Sequence, residues 1–292
     1  MVCLVWVVSL LNEICLRDPQ KIHVVTVFGE PDKPGKPNKP KETIMKAAEI
    51  LAERRCKWQS KKILRKLYHK WYSQIGEWIR PGVVLELGGG SGNLKEHFPD
   101  AVSSDIVFAP WLDAVLDAHR LPFRSETFDD IVLFDVLHHL SAPVLFFREA
   151  ERVLKPGGRV VLMEPYVSWG SYFVYRFLHA EGMQWLVDPF ETNITRKDAF
   201  QGNQAIPRII FEKERERFEC SFPDFTFLEE RRLETLLYPL SGGFHNPSLL
   251  PITLYRPLEL IESVLKPLNR YLAYRIFIVL EKGTRRLEEP CA

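Results

Sequence analysis

Apolar residues recur along this chain in two rhythms. From Thr43 to Gly76, Ile44, Ala47, Ala48 and Leu51, then Leu64, Leu67, Tyr68, Trp71 and Ile75, repeat at three and four residues, which predicts two helices. The rhythm then changes to short runs without helical spacing, rich in Val, Leu and Ile apart from the second: "VVLELG" (83–88), "AVSSD" (101–105), "IVLFDV" (131–136) and "RVVLMEP" (159–165). Such runs read as strands covered on both faces. Between the last two, "SAPVLFFREAERVLKPGG" carries an apolar stripe at Val144, Phe147, Ala150 and Val153. It predicts a helix with Ser141 as N-cap, Pro143 in its first turn and Lys-Pro-Gly-Gly as its stop. Strands alternating with helices predict an α/β, Rossmann-like doubly wound sheet, mostly parallel, with helices on both faces.

The first strand runs into "GGGSG", four glycines in five positions at 88–92. Glycines there permit a sharp turn and let another molecule approach the backbone, because no Cβ intervenes. In a doubly wound sheet this turn lies at the carboxyl edge where ligands bind, and an acid about 20 residues on can hold ribose hydroxyls. Asp105, at the tip of the second strand, stands in that place after Glu86. Nicotinamide and S-adenosylmethionine proteins share these features.

Composition narrows the partners. The 292 residues are 46% hydrophobic, enough for a substantial core, and their formal charge of +1 supplies no global field for nucleic acid or membrane. Locally, residues 33–70 carry thirteen Lys and Arg against three Glu. That stretch reads either as a basic arm for RNA or an anionic membrane surface, or as the solvated face of the two helices, and the absence of interleaved aromatics favours the second. These helices precede strand one, so they are expected on the outer side of the sheet. The five cysteines are scattered, with no Cys-x-x-Cys pair, so neither a disulfide framework nor a metal site is expected and a reducing cytoplasm fits. "MVCLVWVVSLL" lacks a preceding Lys or Arg and a small-residue cleavage site, and is too short to span a bilayer. Together with the Pro- and Lys-rich stretch after it, it reads as an unstructured leader over 1–42, with Met45 just beyond.

"DAHRLPFRSETFDDIVLFDVLHHL" (117–140) followed by "EAERVLKPGGRVVLMEP" (149–165) resembles the class I S-adenosylmethionine-dependent methyltransferases of the type 11 group. The resemblance rests on an ordered set: Asp117-Ala118, Leu121-Pro-Phe, Phe128-Asp, Val136-Leu-His-His and Lys155-Pro-Gly-Gly. It covers residues 83–165 and extends toward a bacterial subgroup through "VYRFLHAE" and "IPRIIFEKERERFECSFPDF". It implies S-adenosyl-L-methionine as cofactor. Glu86 and the backbone of Gly88, Gly90 and Gly92 would cradle its methionine portion, Asp105 its ribose, with Ile106 flanking adenine and Asp117 and Ala118 at the adenine edge. Asp135 and Leu137 would line the methionyl end. Only eleven residues separate Asp105 from Asp117, so the second crossover is expected to be a turn and a short strand. "FTFLEERRLETLLYPL" and "YRIFIVLEK" would be the family's last two strands, an antiparallel hairpin, joined by a helix over "PLELIESVLKPLNRYL".

The organisation expected is then a leader (1–42), N-terminal helices (43–80), a cofactor-binding core (81–165), a cap-like insertion (166–222) and the last strands and helix (223–285). The aromatic stretch after strand five, from Trp169 to Trp185, reads equally as an acceptor wall or as a helix buried on the sheet. A hydroxyl acceptor needs a base; the candidates at the carboxyl edge are His138, His139, Glu164 and Tyr166, with His245 in a later loop. "DVLHHL" stands where many base-amino methyltransferases carry Asn-Pro-Pro-Tyr, which argues against a nucleobase amine. The function expected is therefore methyl transfer to a small or lipid-linked acceptor, without a transmembrane segment and with peripheral membrane contact left open. The alternative is an RNA-directed or noncatalytic protein of the same fold using the basic helices.

Overall fold

The computed structural model describes residues 39–177, 181–194, 199–244 and 246–283. The expected leader and His245 lie outside them, apart from the first residues of helix α1 (Lys39–Ser60), which begins four residues before the predicted Thr43.

After α1 and α2 (Lys62–Gly76) come β1 (Val84–Leu87), β2 (Val102–Asp105), the two-residue β3 (Ala114–Val115), β4 (Phe128–Phe134), α3 (Pro143–Val153), β5 (Leu154–Pro165), α4 (Trp169–Phe177), α5 (Arg215–Ser221), β6 (Phe225–Leu233), α6 (Leu237–Ser241), α7 (Tyr255–Leu265) and β7 (Arg275–Lys282). The strands form one sheet in the order β3-β2-β1-β4-β5-β7-β6, parallel except for β7, which runs antiparallel to both its neighbours. The sheet and its terminal hairpin are those expected, and the second crossover is indeed a turn and a short strand. The first is equally brief, a single 3-10 turn at Leu94–Glu96.

Register explains why consecutive positions in the middle of β4, β5 and β7 are apolar. Leu85 pairs with Ile131, Ile131 with Val160 and Val160 with Leu280, and this row faces one core with Phe147 of α3. The alternate row, Val132, Val161 and Val279, faces a second core with Leu64, Leu67, Trp71 and Ile75 of α2. Both faces are covered, so neither can be polar. Edge strand β6 carries four successive charged residues, Glu229 to Arg232, which discourages pairing with another chain.

Several local expectations change. Ser141 does not cap α3; Ala142 holds the N-cap position and Pro143, lacking an N–H, opens the helix. The helix stops at Val153, and Lys155–Gly158 lie within β5, where Gly157 takes φ +74°. β6 ends at Leu233, and the chain then turns into α6. Within residues 166–222, Phe211, Phe218 and Phe222 pack on Phe147 as a helical layer of the fold rather than as part of a cap.

The N-terminal helices do not lie outside the sheet. α2 is a core layer, and four cations of the segment are engaged with the rest of the fold: Lys61 Nζ donates to Gly243 O (2.5 Å) and Asn246 O (2.8 Å), Lys70 pairs with Glu234 (2.9 Å), Arg65 with Glu96 (3.3 Å), and Lys66 sits 4.1 Å over the Tyr255 ring.

Candidate active site at the carboxyl edge of the sheet

β1 delivers the chain into a loop in which Gly88, Gly90 and Gly92 have φ of +71°, +48° and +73°. A Cβ at Gly88 would stand 2.2 Å from Val136 Cγ2, so the loop excludes side chains on steric as well as torsional grounds. Backbone bonds fold it onto β2: Gly89 N–H donates to Ser104 O (2.8 Å) and Gly92 N–H to Gly89 O (2.7 Å). The Asp105 carboxylate accepts from Gly90 N (2.9 Å) through one oxygen and from Val107 N (2.9 Å) through the other. Burial pushes this carboxyl up, and those backbone donors partly offset the rise.

Glu86 lies beneath the loop at 3% exposure and accepts from the Ser103 hydroxyl. Burial pushes it up to about 7 against that hydrogen bond.

Two residues that the sequence did not single out form the loop's roof. Trp111 Nε1 donates to Gly90 O (2.9 Å), and Arg55 of α1 donates to Ser91 O (2.5 Å) with its guanidinium 4.9 Å over the indole. The residues present fit an adenosyl cofactor: each Asp105 oxygen retains a lone pair beyond its backbone bond, a Cβ on Gly90 would meet nothing nearer than 3.8 Å, and Ile106 is half exposed beside it.

Ala118 is buried, while Asp117 accepts from the backbone N–H of His119 (2.9 Å) and from its Nδ1 (2.6 Å). His119 Nε2 accepts from Ala142 N (3.2 Å), so the proton belongs on Nδ1. Burial acts to raise the Asp117 carboxyl, but these hydrogen bonds outweigh it and hold the group below its ordinary value.

At the tip of β4, Asp135 takes φ +58° and its carboxylate is gripped by both guanidinium nitrogens of Arg275 from β7, Nη2 reaching Oδ2 at 2.8 Å. Arg275 is 1% exposed and lies 4.7–5.0 Å from the rings of Trp71, Phe134 and Tyr238. Next along, Val136 N–H and Leu137 N–H both donate to Glu164 Oε1 at 2.8 Å, and Leu137 is fully buried. The other Glu164 oxygen meets His138 Nδ1 at 2.7 Å, and His138 Nε2 faces Glu181 at 3.2 Å. Burial would lower this imidazole, but two carboxylates outweigh it and push it up to about 10, so His138 is an imidazolium at neutral pH. Its neighbour His139, 4.1 Å away between ring centroids, is pushed down to about 4 by burial and by that positive charge.

Residues 201–204 close over the pair: Asn203 N–H donates to His138 O (2.8 Å), and Gly202 has room for no side chain, since a Cβ would stand 2.7 Å from the His138 ring. Tyr166 takes no part in this cluster. Its hydroxyl donates to Glu212 (2.8 Å) and accepts from Arg232 Nε (3.0 Å). Among the described residues, His138, His139 and Glu181, or Asp135, His138 and Glu164, bring ligand atoms within 4.8 Å and could hold a cation. Both sets share His138, and its two nitrogens already face carboxylates, so a cation would have to displace the proton.

Of the residues missed in the sequence, Arg275 left one trace, a charge directly before the apolar run Ile276 to Leu280. Glu181 and Arg55 left none, because their roles depend on where distant segments meet.

A family model for a methyltransferase domain matches residues 85–162, the stretch that carries the glycine loop, Asp105, Asp135, His138 and His139. Residues 85–162 are thus a methyltransferase domain of the class I, S-adenosylmethionine-dependent type 11 group. This methyltransferase is 28% identical over 194 residues to the ubiquinone/menaquinone biosynthesis C-methyltransferases of Burkholderia mallei and Burkholderia thailandensis, covering 56% of its own length and 73% of theirs. Among solved structures, it resembles a chain of the Haloferax volcanii complex between the Trm112 methyltransferase activator and a methyltransferase, over 84% of this chain and all of that one, at 15% identity and a TM-score of 0.47. It also resembles the Burkholderia thailandensis 1,6-didemethyltoxoflavin-N1-methyltransferase solved with 1,6-didemethyltoxoflavin and S-adenosylhomocysteine, over 87% of this chain and 94% of that one, at 14% identity and a TM-score of 0.42.

Proposed function

We propose that the methyltransferase acts on a small or lipid-linked acceptor held at the tips of β4 and β5. The observation that carries this is the closure of residues 201–204 over His138 and His139, with Gly202 against both rings, which suits a compact group and leaves little room for a folded polymer. The internal engagement of Lys61, Arg65, Lys66 and Lys70 supports the same reading, since these cations are committed to carbonyls, carboxylates and a ring rather than offered to phosphates. The curated relatives are ubiquinone and menaquinone C-methyltransferases, which accords with a lipid-like acceptor.

S-adenosylmethionine supplies an activated methyl group on a sulfonium. The protein's share is placement and proton control. Asp105 and the glycine loop would hold the adenosyl and methionyl parts, and a fixed approach of the acceptor lowers the barrier by several kcal/mol, at most about 7–11 in well-oriented systems. Glu164, saturated by two backbone N–H groups and His138, orients the imidazolium. Of the two carboxylates that face His138, Glu181 is the more accessible, at 12% exposure against 0% for Glu164. We assign it the acceptor's proton, with the His138 charge stabilising its carboxylate until then.

The test is incorporation of labelled methyl from S-adenosylmethionine into extracts of cells lacking the gene. Label in organic-soluble material, unaffected by ribonuclease and by moderate salt, is expected. Label that follows RNA and falls by orders of magnitude as salt rises would overturn the assignment.

A further inference from the structure

The protein carries an apolar face that its own described residues do not cover. In α4, Trp169, Phe173 and Phe177 recur every fourth residue, on one side of the helix, and are 76%, 65% and 71% exposed. The aromatic stretch is therefore neither a wholly buried helix nor an acceptor wall along its length: Tyr175 is buried against Tyr274, while these three rings point to solvent. On α7 and the turn after it, Leu260, Val264 and Leu268 form a second stripe, ending at Tyr271. The two stripes adjoin, because a Cβ on Gly170 would lie 2.9 Å from Leu272 Cδ2 and 3.4 Å from Tyr271 O.

An exposed face of this kind marks an interaction surface. Its charges decide the partner. Across Trp169–Phe177 and 254–272 every exposed charged side chain is a cation, namely Arg176, Arg256, Lys266 and Arg270. Glu262 is buried, accepting from the backbone N–H groups of Thr235 and Leu236, and Glu259 is half-buried. Arg176 and Arg270 each lie beside an exposed ring, 5.8 and 5.9 Å from the Phe177 and Tyr271 centroids. Aromatic and aliphatic groups on a helix face with flanking Arg and Lys form the pattern of an interfacial anchor, in which rings enter the headgroup boundary and cations meet anionic lipids.

We infer that α4 and α7 form a docking face for an anionic phospholipid surface. It is distinct from the basic N-terminal helices, where Lys61, Arg65, Lys66 and Lys70 are engaged within the fold, and it does not depend on the identity of the acceptor.

The test is cosedimentation of the full chain with vesicles of phosphatidylcholine alone and of phosphatidylcholine with phosphatidylglycerol, without cofactor or acceptor. Binding to the anionic vesicles is expected, weakened by salt. Trp169→Ser with Phe173→Ser should reduce partitioning by about tenfold or more, from the apolar area lost. Arg256→Glu with Lys266→Glu and Arg270→Glu should abolish the preference for anionic lipid. All five positions are solvent-exposed, and circular dichroism with S-adenosylhomocysteine binding confirms that the variants fold. The inference fails if the chain ignores both vesicles or if the variants bind as well as the parent. It also fails if sedimentation equilibrium shows a dimer that the Trp169/Phe173 variant dissociates, which assigns the face to a second copy, or if vesicle binding appears only after residues 1–38 are removed, which assigns it to that segment.

Discussion

Arg275 at the start of β7 and Asp135 just past the end of β4 form a two-pronged ion pair whose guanidinium is 1% exposed and whose carboxylate side chain is 31% exposed. The asymmetry sets the first prediction. Asp135→Ala leaves a buried cation with only aromatic faces for company and should cost about 3–5 kcal/mol of stability. Arg275→Met leaves a carboxylate that water can still reach and fills the aromatic cage, so it should cost less. Urea unfolding of both single variants and the double variant checks this, and the double variant should be less destabilised than Asp135→Ala alone.

Asp105→Ala removes the acceptor for Gly90 N–H and Val107 N–H as well as the proposed ribose contact. It should weaken S-adenosylmethionine binding by about ten- to a hundredfold, the scale of one or two lost hydrogen bonds to a charged group. Calorimetry measures it directly, and Asp105→Asn, which keeps one acceptor oxygen, should fall between the two proteins.

Glu86 has its carboxyl raised from 4.5 to about 7 by burial. A folded-state value above the unfolded one favours the protonated form, so the contribution is favourable in full below pH 4.5 and is lost as pH rises through about 7. Glu86→Gln should remove this loss, stabilising the protein at pH 8 relative to the parent by at most about 3 kcal/mol. Thermal melts of the two proteins at pH 5 and pH 8 should show the gap opening only at the higher pH.

His138 is raised from 6.5 to about 10 by its two glutamates. By the same sign, its ion pairs contribute stability in full below about pH 6.5, and that contribution disappears as pH climbs through about 10. His138→Gln keeps a donor but no charge and should lower kcat by about 10²–10³ with little change in cofactor affinity. Glu181→Gln should match it, whereas Glu164→Gln should also destabilise the fold, because its carboxylate serves two backbone N–H groups. Single-turnover kinetics beside cofactor titration separate these outcomes.

The layout of the sheet was legible in the sequence because its information is local: continuous apolar strands mark burial on both faces, and a cluster of glycines marks a turn that a Cβ at position 88 would obstruct. Element ends were less legible. Lys155–Gly158 carries every residue type of a helix stop, yet Leu154, at the start of β5, pairs beside Phe128 of β4 and draws the segment into the strand. The N-terminal basic stretch looked like a solvated face or a polyanion arm, since charge counts do not record that Lys61 would meet the carbonyls of Gly243 and Asn246 across more than 180 residues of chain.

By itself, then, the sequence determined the strand order's raw material, the glycine loop, Asp105 and the histidine pair, all of which depend on neighbours within a few residues or on one repeated rhythm. Tertiary structure decided which carboxylates face His138, which cation holds Asp135, and which aromatic rings remain outside. Glu181 and Arg275 acquire their roles only when segments far apart in the chain close on the sheet's carboxyl edge. Trp169, Phe173 and Phe177 share the apolar character of buried Tyr175, and only the packing of one helix side against Tyr274 separates them. Burial and charge pairing are properties of that closed arrangement, because desolvation and Coulomb energy depend on distance in space and not on distance along the chain.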